Sequence, residues 1–383
     1  MKKLLIYCLP SFITSYLYLI MAFSLRYFIH KSFLNVWYTD LYMMISRRDN
    51  MTYNRFKRFI VSIIPGFMIR FLARPYVAGY CMEDAIEQAR LFDEKGILST
   101  IDILGEDAKK ESDITLALER YKGLIDAVAS EFKDNKPTIS MKPSNLAVGR
   151  ETQKGLLIDK KKCMRNVEAL IKYADKKRVE MSLDMENHFW TDLTLDIYEI
   201  LLKKGYTNTG AVLQSRLFRT EKDIKRFKNL KGRFRSCIGI YNEPEDIALQ
   251  KKPLMKVEMF RHVNQLLHAG HYVEIATHDK RLLADIFDDL LTAKKIPSSR
   301  FEVQMLMGVP RRLLQGKIMI GRFRSYIKPV RMRLYVPFAY SRKDATAYCR
   351  RRLMANPDIV DFGAKNFLWN LDHTIMRPFR RHR

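Results

Sequence analysis

From Gly96 onward the chain alternates between two patterns. Short runs rich in β-branched and aromatic residues are separated by longer stretches, where apolar residues recur every three to four positions among charges. The short runs are Leu98–Leu104, Thr138–Lys142, Val179–Met185, Gly210–Gln214, Arg235–Tyr241, Tyr272–Thr277, Phe301–Leu306 and Arg331–Pro337. Each has the length and composition of a buried strand. The longer stretches include Ser112–Glu131, Cys163–Lys177, Asp192–Lys204, Glu221–Asn229, Met255–Ala269, Lys280–Ala293 and Arg311–Gly316, and they read as helices. Strands joined by crossover-length helical segments lie parallel, and eight such units predict a (β/α)8 barrel over residues 96–356. An open doubly wound sheet is the alternative. No Gly-x-Gly-x-x-Gly follows the first strand, which weakens a dinucleotide-binding version of that sheet.

The flanking segments differ from the repeat. Residues 31–95 read as a mostly helical, apolar and basic arm packed on the barrel, and residues 357–383 as a basic tail. In residues 1–30, Lys2-Lys3 precede an uncharged run from Leu4 to Leu25, long enough to cross a bilayer. Pro10 and several Ser, Thr and Tyr residues dilute that run. A membrane-associated helix is the leading reading, ahead of a buried helix and a targeting peptide. The expected location is a cytoplasmic body attached to a membrane through this segment.

Charge and cysteine content refine the picture. The chain has 68 Lys and Arg against 42 Asp and Glu, a formal net charge of +26. Such a balance affects partners and solubility rather than fold. It fits a solvated basic surface or attraction to an anionic membrane surface. Zinc-finger spacing and RNA-binding signatures are absent, so nucleic acid is not an expected partner. Cys8, Cys81, Cys163, Cys237 and Cys349 are scattered, without Cys-x-x-Cys or metal spacing, as in a chain with free thiols in a reducing compartment.

Barrel enzymes gather reactive groups at the C-terminal ends of their strands. Here those ends carry Asp102 with Gly105-Glu106, then Lys142, Asp184 with Glu186, Gln214, Tyr241, Thr277-His278-Asp279, Gln304 with Leu306, and Tyr335. Each has a structural reading: Lys142 as a surface residue, Asp184 as a helix cap, His278 as a packing residue. Their convergence on one rim is the signal. On the last helix, Tyr348, Arg351 and Arg352 are spaced to share a face. Adjacent guanidinium groups can fork onto a carboxylate, and tyrosines can wall an apolar ring. No metal-ligand set and no nucleophile-elbow motif accompanies them. The residues alone therefore describe a barrel with a basic, aromatic pocket suited to a carboxylate substrate.

At these positions the chain resembles the flavin-dependent proline dehydrogenase family, from about Ala73 to Asn356. The matching segments are Arg74-Pro75-Tyr76-Val77-Ala78-Gly79, Thr100–Glu106, Ser140-Met141-Lys142, Leu183-Asp184-Met185-Glu186, Val212-Leu213-Gln214 and Tyr241–Glu245. Ile275–Asp279, Gln304–Gly308, Tyr335-Val336-Pro337 and Tyr348–Leu353 complete the series, in the same order. The resemblance implies a distorted (β/α)8 barrel with FAD at the strand C-termini. The implied reaction converts L-proline to 1-pyrroline-5-carboxylate, with electrons passed to a quinone or another acceptor. It also implies residue roles. Arg351 and Arg352 would hold the proline carboxylate, with Lys142 adding charge. Tyr335, Tyr348 and Leu306 would wall the ring, and Asp184 would anchor the polar network. Arg235 would sit at flavin N5, Gln214 and Gly239 at the flavin edge, and Thr277 and His278 along its ribityl and phosphate region. The fifth strand departs from the family's Arg-x-x-Lys-Gly-Ala-Tyr: Ile238 replaces the lysine, and Ile240 replaces the alanine facing the substrate. Alternatives are a flavoprotein oxidising another secondary amine, suggested by Ile240, and a non-catalytic membrane-associated barrel, suggested by Ile238.

Overall fold

A computed structural model describes residues 61, 64–72, 74–152 and 155–355. In chain order it contains α1 (Gly66–Leu72), α2 (Met82–Asp93), β1 (Leu98–Ile103), α3 (Glu111–Glu131), β2 (Thr138–Met141), β3 (Gly149–Thr152) and β4 (Gly155–Ile158). Next come α4 (Lys160–Lys176), β5 (Met181–Leu183), α5 (His188–Lys203), β6 (Thr209–Gln214), α6 (Thr220–Arg226), β7 (Arg233–Cys237) and α7 (Lys252–His268). The described chain ends with β8 (Tyr272–Ala276), α8 (Lys280–Asp285), β9 (Phe301–Leu306), α9 (Arg312–Met319), β10 (Met332–Phe338) and α10 (Arg342–Ala355). Eight parallel strands close a barrel in the order β1-β10-β9-β8-β7-β6-β5-β2, while β3 and β4 form a separate antiparallel pair. The (β/α)8 expectation is met.

Side-chain parity along the strands organises the interior. One parity (Ile101 on β1, Met181 on β5, Phe234 on β7, Val273 on β8, Val303 on β9, Val336 on β10) joins the apolar core beneath the helices. Burying side chains of this size stabilises by roughly 1.5–3 kcal/mol each. The other parity is polar: Ser140, Ser182, Gln214, Arg233, Arg235, Glu274, Glu302, Gln304, Arg333 and Tyr335. These residues face into the barrel, because Arg333 on β10 reaches Thr138 on β2 across it, at 3.1 Å. Most barrels fill this space with branched aliphatic layers; here much of it is charged.

Two elements depart most from the sequence reading. The fifth barrel strand runs Arg233–Cys237 rather than Arg235–Tyr241, because Gly239 adopts φ 100° and turns the chain out of the ladder. The β3–β4 hairpin was not anticipated, since its two four-residue strands lack a sustained apolar alternation.

The expectation of a membrane-attached body is corrected. Among the described residues no helix is long and apolar enough to cross a membrane. The apolar run 4–25 and the tail 357–383 lie outside the described residues.

Candidate active site

The C-terminal strand ends assemble a buried polar network. Lys142 follows β2, where Pro143 opens a short 3-10 turn. Its ammonium contacts the Asp102 carboxylate on β1 and donates to the Ile103 carbonyl at 3.4 Å. Burial opposes the lysine charge, but Asp102 and Asp184 outweigh it and hold its pKa well above the usual value. Lys142 is therefore a fixed cation in the barrel mouth, not a surface residue.

Asp184 is the hub. Its backbone N–H donates to the Met141 carbonyl at 2.9 Å, which pins it beside β2. One carboxylate oxygen accepts from Arg235 Nη1 at 2.8 Å and the other from the Tyr335 hydroxyl. Burial pushes the Asp184 pKa up, but Arg235 and Lys142 prevail and keep it below the usual carboxylate range. Burial, and then the negative charge of Asp102 and Asp184, holds the Tyr335 phenol well above its usual range, so it stays a donor. The Arg235 guanidinium also lies 5.3 Å from the centre of the Tyr335 ring. Asp184 just after β5, Arg235 on β7 and Tyr335 on β10 thus fix one another's orientation.

The last helix meets this network from above. Ser341 starts α10 by accepting from the Asp344 N–H at 3.1 Å. The helix is then clamped from outside: Arg350 donates to the Val61 and Ile64 carbonyls at 2.8 Å, and Arg70 to the Thr346 hydroxyl at 2.8 Å. Arg351 and Arg352 do not share a partner. Arg351 forms a two-pronged pair with Glu106 at 2.8 and 3.2 Å, and Glu106 also accepts from the Tyr241 hydroxyl at 3.1 Å. Arg352 lies 5.0 Å from the Tyr348 ring centre. Its Nε and the Tyr348 hydroxyl are buried without a hydrogen-bond partner. Buried polar groups are normally satisfied, so these two are open to a ligand.

The remaining candidates line the β6–β9 side. Gln214 ends β6, and its amide donates to the Glu186 carbonyl at 2.8 Å. A Cβ on Gly239 would lie 2.6 Å from the Gln214 side-chain oxygen, so only glycine lets this loop approach so closely. Thr277 Oγ1 accepts from the Asp279 N–H at 3.1 Å and keeps its own hydrogen to donate. Asp279 caps α8, which fixes the preceding residue His278. His278 Nε2 accepts the Leu306 N–H at 2.8 Å, placing the ring proton on Nδ1. Burial, then Arg352 and Arg311, lowers its pKa to about 4, so it is neutral. Ile240 and Leu306 are half-buried. Behind Gln214, Glu186 is buried against Ser144, and burial raises its pKa to about 8.

Four interior residues escaped the sequence reading: Arg233, Glu274, Glu302 and Arg333. Glu274 lies 3.3 Å from Arg233 Nε and 3.4 Å from Arg235 Nε. Charges of alternating sign therefore run along the barrel axis through Arg233, Glu274, Arg235 and Asp184 to the Tyr335 hydroxyl. Beside them, Arg333 pairs with Glu302 in two-pronged fashion. The available signal was parity, since Arg233-Phe234-Arg235 and Met332-Arg333-Leu334-Tyr335 alternate inward charge with outward apolar residues.

Fold and site define a (β/α)8 barrel enzyme with its polar network at the strand C-termini. A family model described as proline dehydrogenase matches residues 85–240. The proline dehydrogenase of Deinococcus radiodurans is 31% identical over 298 residues, covering 78% of this chain and 90% of that protein. Proline dehydrogenase 1 of Bacillus subtilis is 29% identical over 300 residues, covering 78% and 91%. This chain belongs to the proline dehydrogenase family and is a proline dehydrogenase enzyme. Among solved structures, proline utilization A from Bdellovibrio bacteriovorus, inactivated by N-propargylglycine, aligns with a TM-score of 0.64 at 21% identity. A Bradyrhizobium japonicum proline utilization A mutant aligns at 0.60 and 19%. These alignments cover 74% and 77% of this chain but only 32% and 33% of those chains, and they bear on the fold.

Proposed function

We propose that the enzyme oxidises L-proline to 1-pyrroline-5-carboxylate with FAD as its cofactor, and that the electrons leave for a quinone or another acceptor. The donor set suits a flavin. Gln214 and the Gly239 backbone offer an amide edge with no intervening Cβ, and Thr277 and His278 Nδ1 supply free donors. Arg235 adds a buried guanidinium charge, held between Asp184 and Glu274. When bound, the flavin supplies the two-electron acceptor for the hydride that leaves proline Cδ.

The protein's own part is orientation and electrostatics. Arg352 takes the substrate carboxylate, and Arg351 joins it by exchanging Glu106 for the substrate. Tyr348, Tyr335 and Leu306 wall the ring, and Ile240 narrows the pocket opposite. Asp184 holds Arg235 and Tyr335 still, so their donors need not reorganise during reaction. Lys142 adds fixed positive charge, partly cancelled by Asp102.

The buried, unpartnered Arg352 Nε beside the unpartnered Tyr348 hydroxyl supports this reading most, because it is a cationic site lacking an anion. An absorbance spectrum of the purified enzyme, taken anaerobically before and after adding proline, tests it. Flavin bands bleached by proline are expected. Protein that remains colourless after refolding with excess FAD would sink the cofactor assignment.

A further inference from the structure

The reaction uses one end of the barrel. At the opposite end, where β5 to β10 begin, lies a second cavity of about 460 Å³ that the mechanism leaves unused. Five cationic side chains line it (Lys231, Arg233, Arg300, Arg331 and Arg333) against two carboxylates, Glu180 and Glu302. Both carboxylates are already matched. Glu302 accepts from Arg333 Nη2 at 3.1 Å, from Gln304 at 2.7 Å and from the Tyr272 hydroxyl at 3.1 Å. Glu180 is in contact with Arg233. That leaves Lys231, Arg300 and Arg331 with no carboxylate in ion-pairing reach among the described residues.

These cations are also positioned. Arg300 Nη2 donates to the Leu267 and His271 carbonyls at 3.1 Å, which fixes the guanidinium without cancelling its charge. The Arg331 guanidinium lies 5.3 Å from the Tyr272 ring centre. On the same wall, Thr209 Oγ1 is buried with no hydrogen-bond partner. A net charge of +3, held by forked donors around an unsatisfied hydroxyl, suits a ligand with several oxygen acceptors and more than one negative charge. We infer that this N-terminal mouth binds a small multivalent oxoanion, a phosphate or a dicarboxylate, separate from the proline site.

The test is calorimetric titration of inorganic phosphate, and separately of succinate, into the purified enzyme with its cofactor. Ionic strength is held constant with sodium chloride. One saturable site is expected for at least one of the two ions, and the tighter one identifies the source. Saturation should raise the unfolding midpoint by a few degrees beyond the sodium chloride control. The double variant Lys231→Ala/Arg331→Ala removes two exposed side chains, so its circular dichroism and proline turnover should match the parent. Its anion affinity should fall at least tenfold. Arg352→Met, which disarms the substrate end, should titrate like the parent. The inference is overturned if neither ion saturates, if the double variant binds as the parent does, or if Arg352→Met abolishes binding and so moves the anion to the substrate end.

Discussion

Arg351 and Arg352 are neighbours in sequence and opposites in environment. The Arg351 side chain is 43% exposed and already paired with Glu106, and exposed ion pairs contribute only about 0–1 kcal/mol. Arg352 has a buried nitrogen with nothing to bond. A substrate carboxylate arriving there meets a nitrogen that has already lost its water, where a charge-assisted hydrogen bond is worth roughly 1.5–3 kcal/mol. Arg352→Met should therefore raise KM for proline by about 10–100-fold, with flavin content close to the parent's. Steady-state kinetics paired with a flavin-to-protein absorbance ratio checks both halves, and an unchanged KM would remove Arg352 from the carboxylate site. Tyr335 acts differently, through the hydroxyl that it donates to Asp184. Tyr335→Phe keeps the ring wall but loosens the Asp184–Arg235 array. The loss should fall mainly on kcat, by about tenfold for one hydrogen bond to a charged group; a change confined to KM would contradict that role.

At the scale of elements, the Arg74–Gly79 motif works as a seam. Ala78 N–H donates to the Pro337 carbonyl at 2.8 Å, and Ala339 N–H to the Gly79 carbonyl at 3.1 Å, so this segment extends the end of β10. Gly308, just after β9, has φ 80°, and a Cβ there would lie 2.2 Å from the Pro75 carbonyl oxygen. Backbone cannot yield as a side-chain tip can. Gly308→Ala should destabilise the fold by about 2 kcal/mol or more, read as a lowered denaturation midpoint with an unchanged m-value. An unchanged midpoint would show that the seam does not constrain β9. Sequence alone carried the repeat behind these elements, because each apolar run had strand length and each helix a 3.6-residue stripe. It also carried the rim, because strand ends can be counted. It missed the early end of β7, which depends on the positive φ of Gly239 rather than on hydrophobicity. It missed the ion-pair line as well, because Arg233, Glu274 and Asp184 are far apart in sequence and meet only on closure. Nor could spacing show that Arg351 and Arg352 have different partners, since Glu106 reaches Arg351 from 245 positions away.

For the whole molecule, charging a barrel interior makes stability depend on pH, and between pH 4.5 and 8 the direction follows from three histidines and two carboxyls. His271 and His278 are held neutral, each with its pKa lowered from 6.5 to about 4 by burial, and then by nearby arginines; burial lowers His262 as well. The unfolded chain takes up these protons first, so all three histidines cost stability as pH falls from 6.5 towards 4. Asp102 and Glu186 work the other way. Burial raises Asp102 from 3.8 to about 6 and Glu186 from 4.5 to about 8, so the folded state holds protons that the unfolded chain has already released. The Glu186 contribution is fully present below pH 4.5 and is lost as pH rises to 8, on the order of a few kcal/mol. Between 4.5 and 6.5 three histidines outweigh two carboxyls and stability climbs; above that the unfolded histidines shed their remaining protons, Glu186 prevails and stability declines. Chemical denaturation across this range should therefore peak near pH 6.5 and fall towards pH 8. Glu186→Gln keeps a neutral side chain of the same shape beside Ser144 and cannot ionise. It should flatten the alkaline limb and leave the acid limb intact. If the decline from 6.5 to 8 survives in the glutamine variant, the buried proton is not on Glu186, and the histidines cannot supply it, because the protons they still lose there leave the unfolded chain, which favours folding.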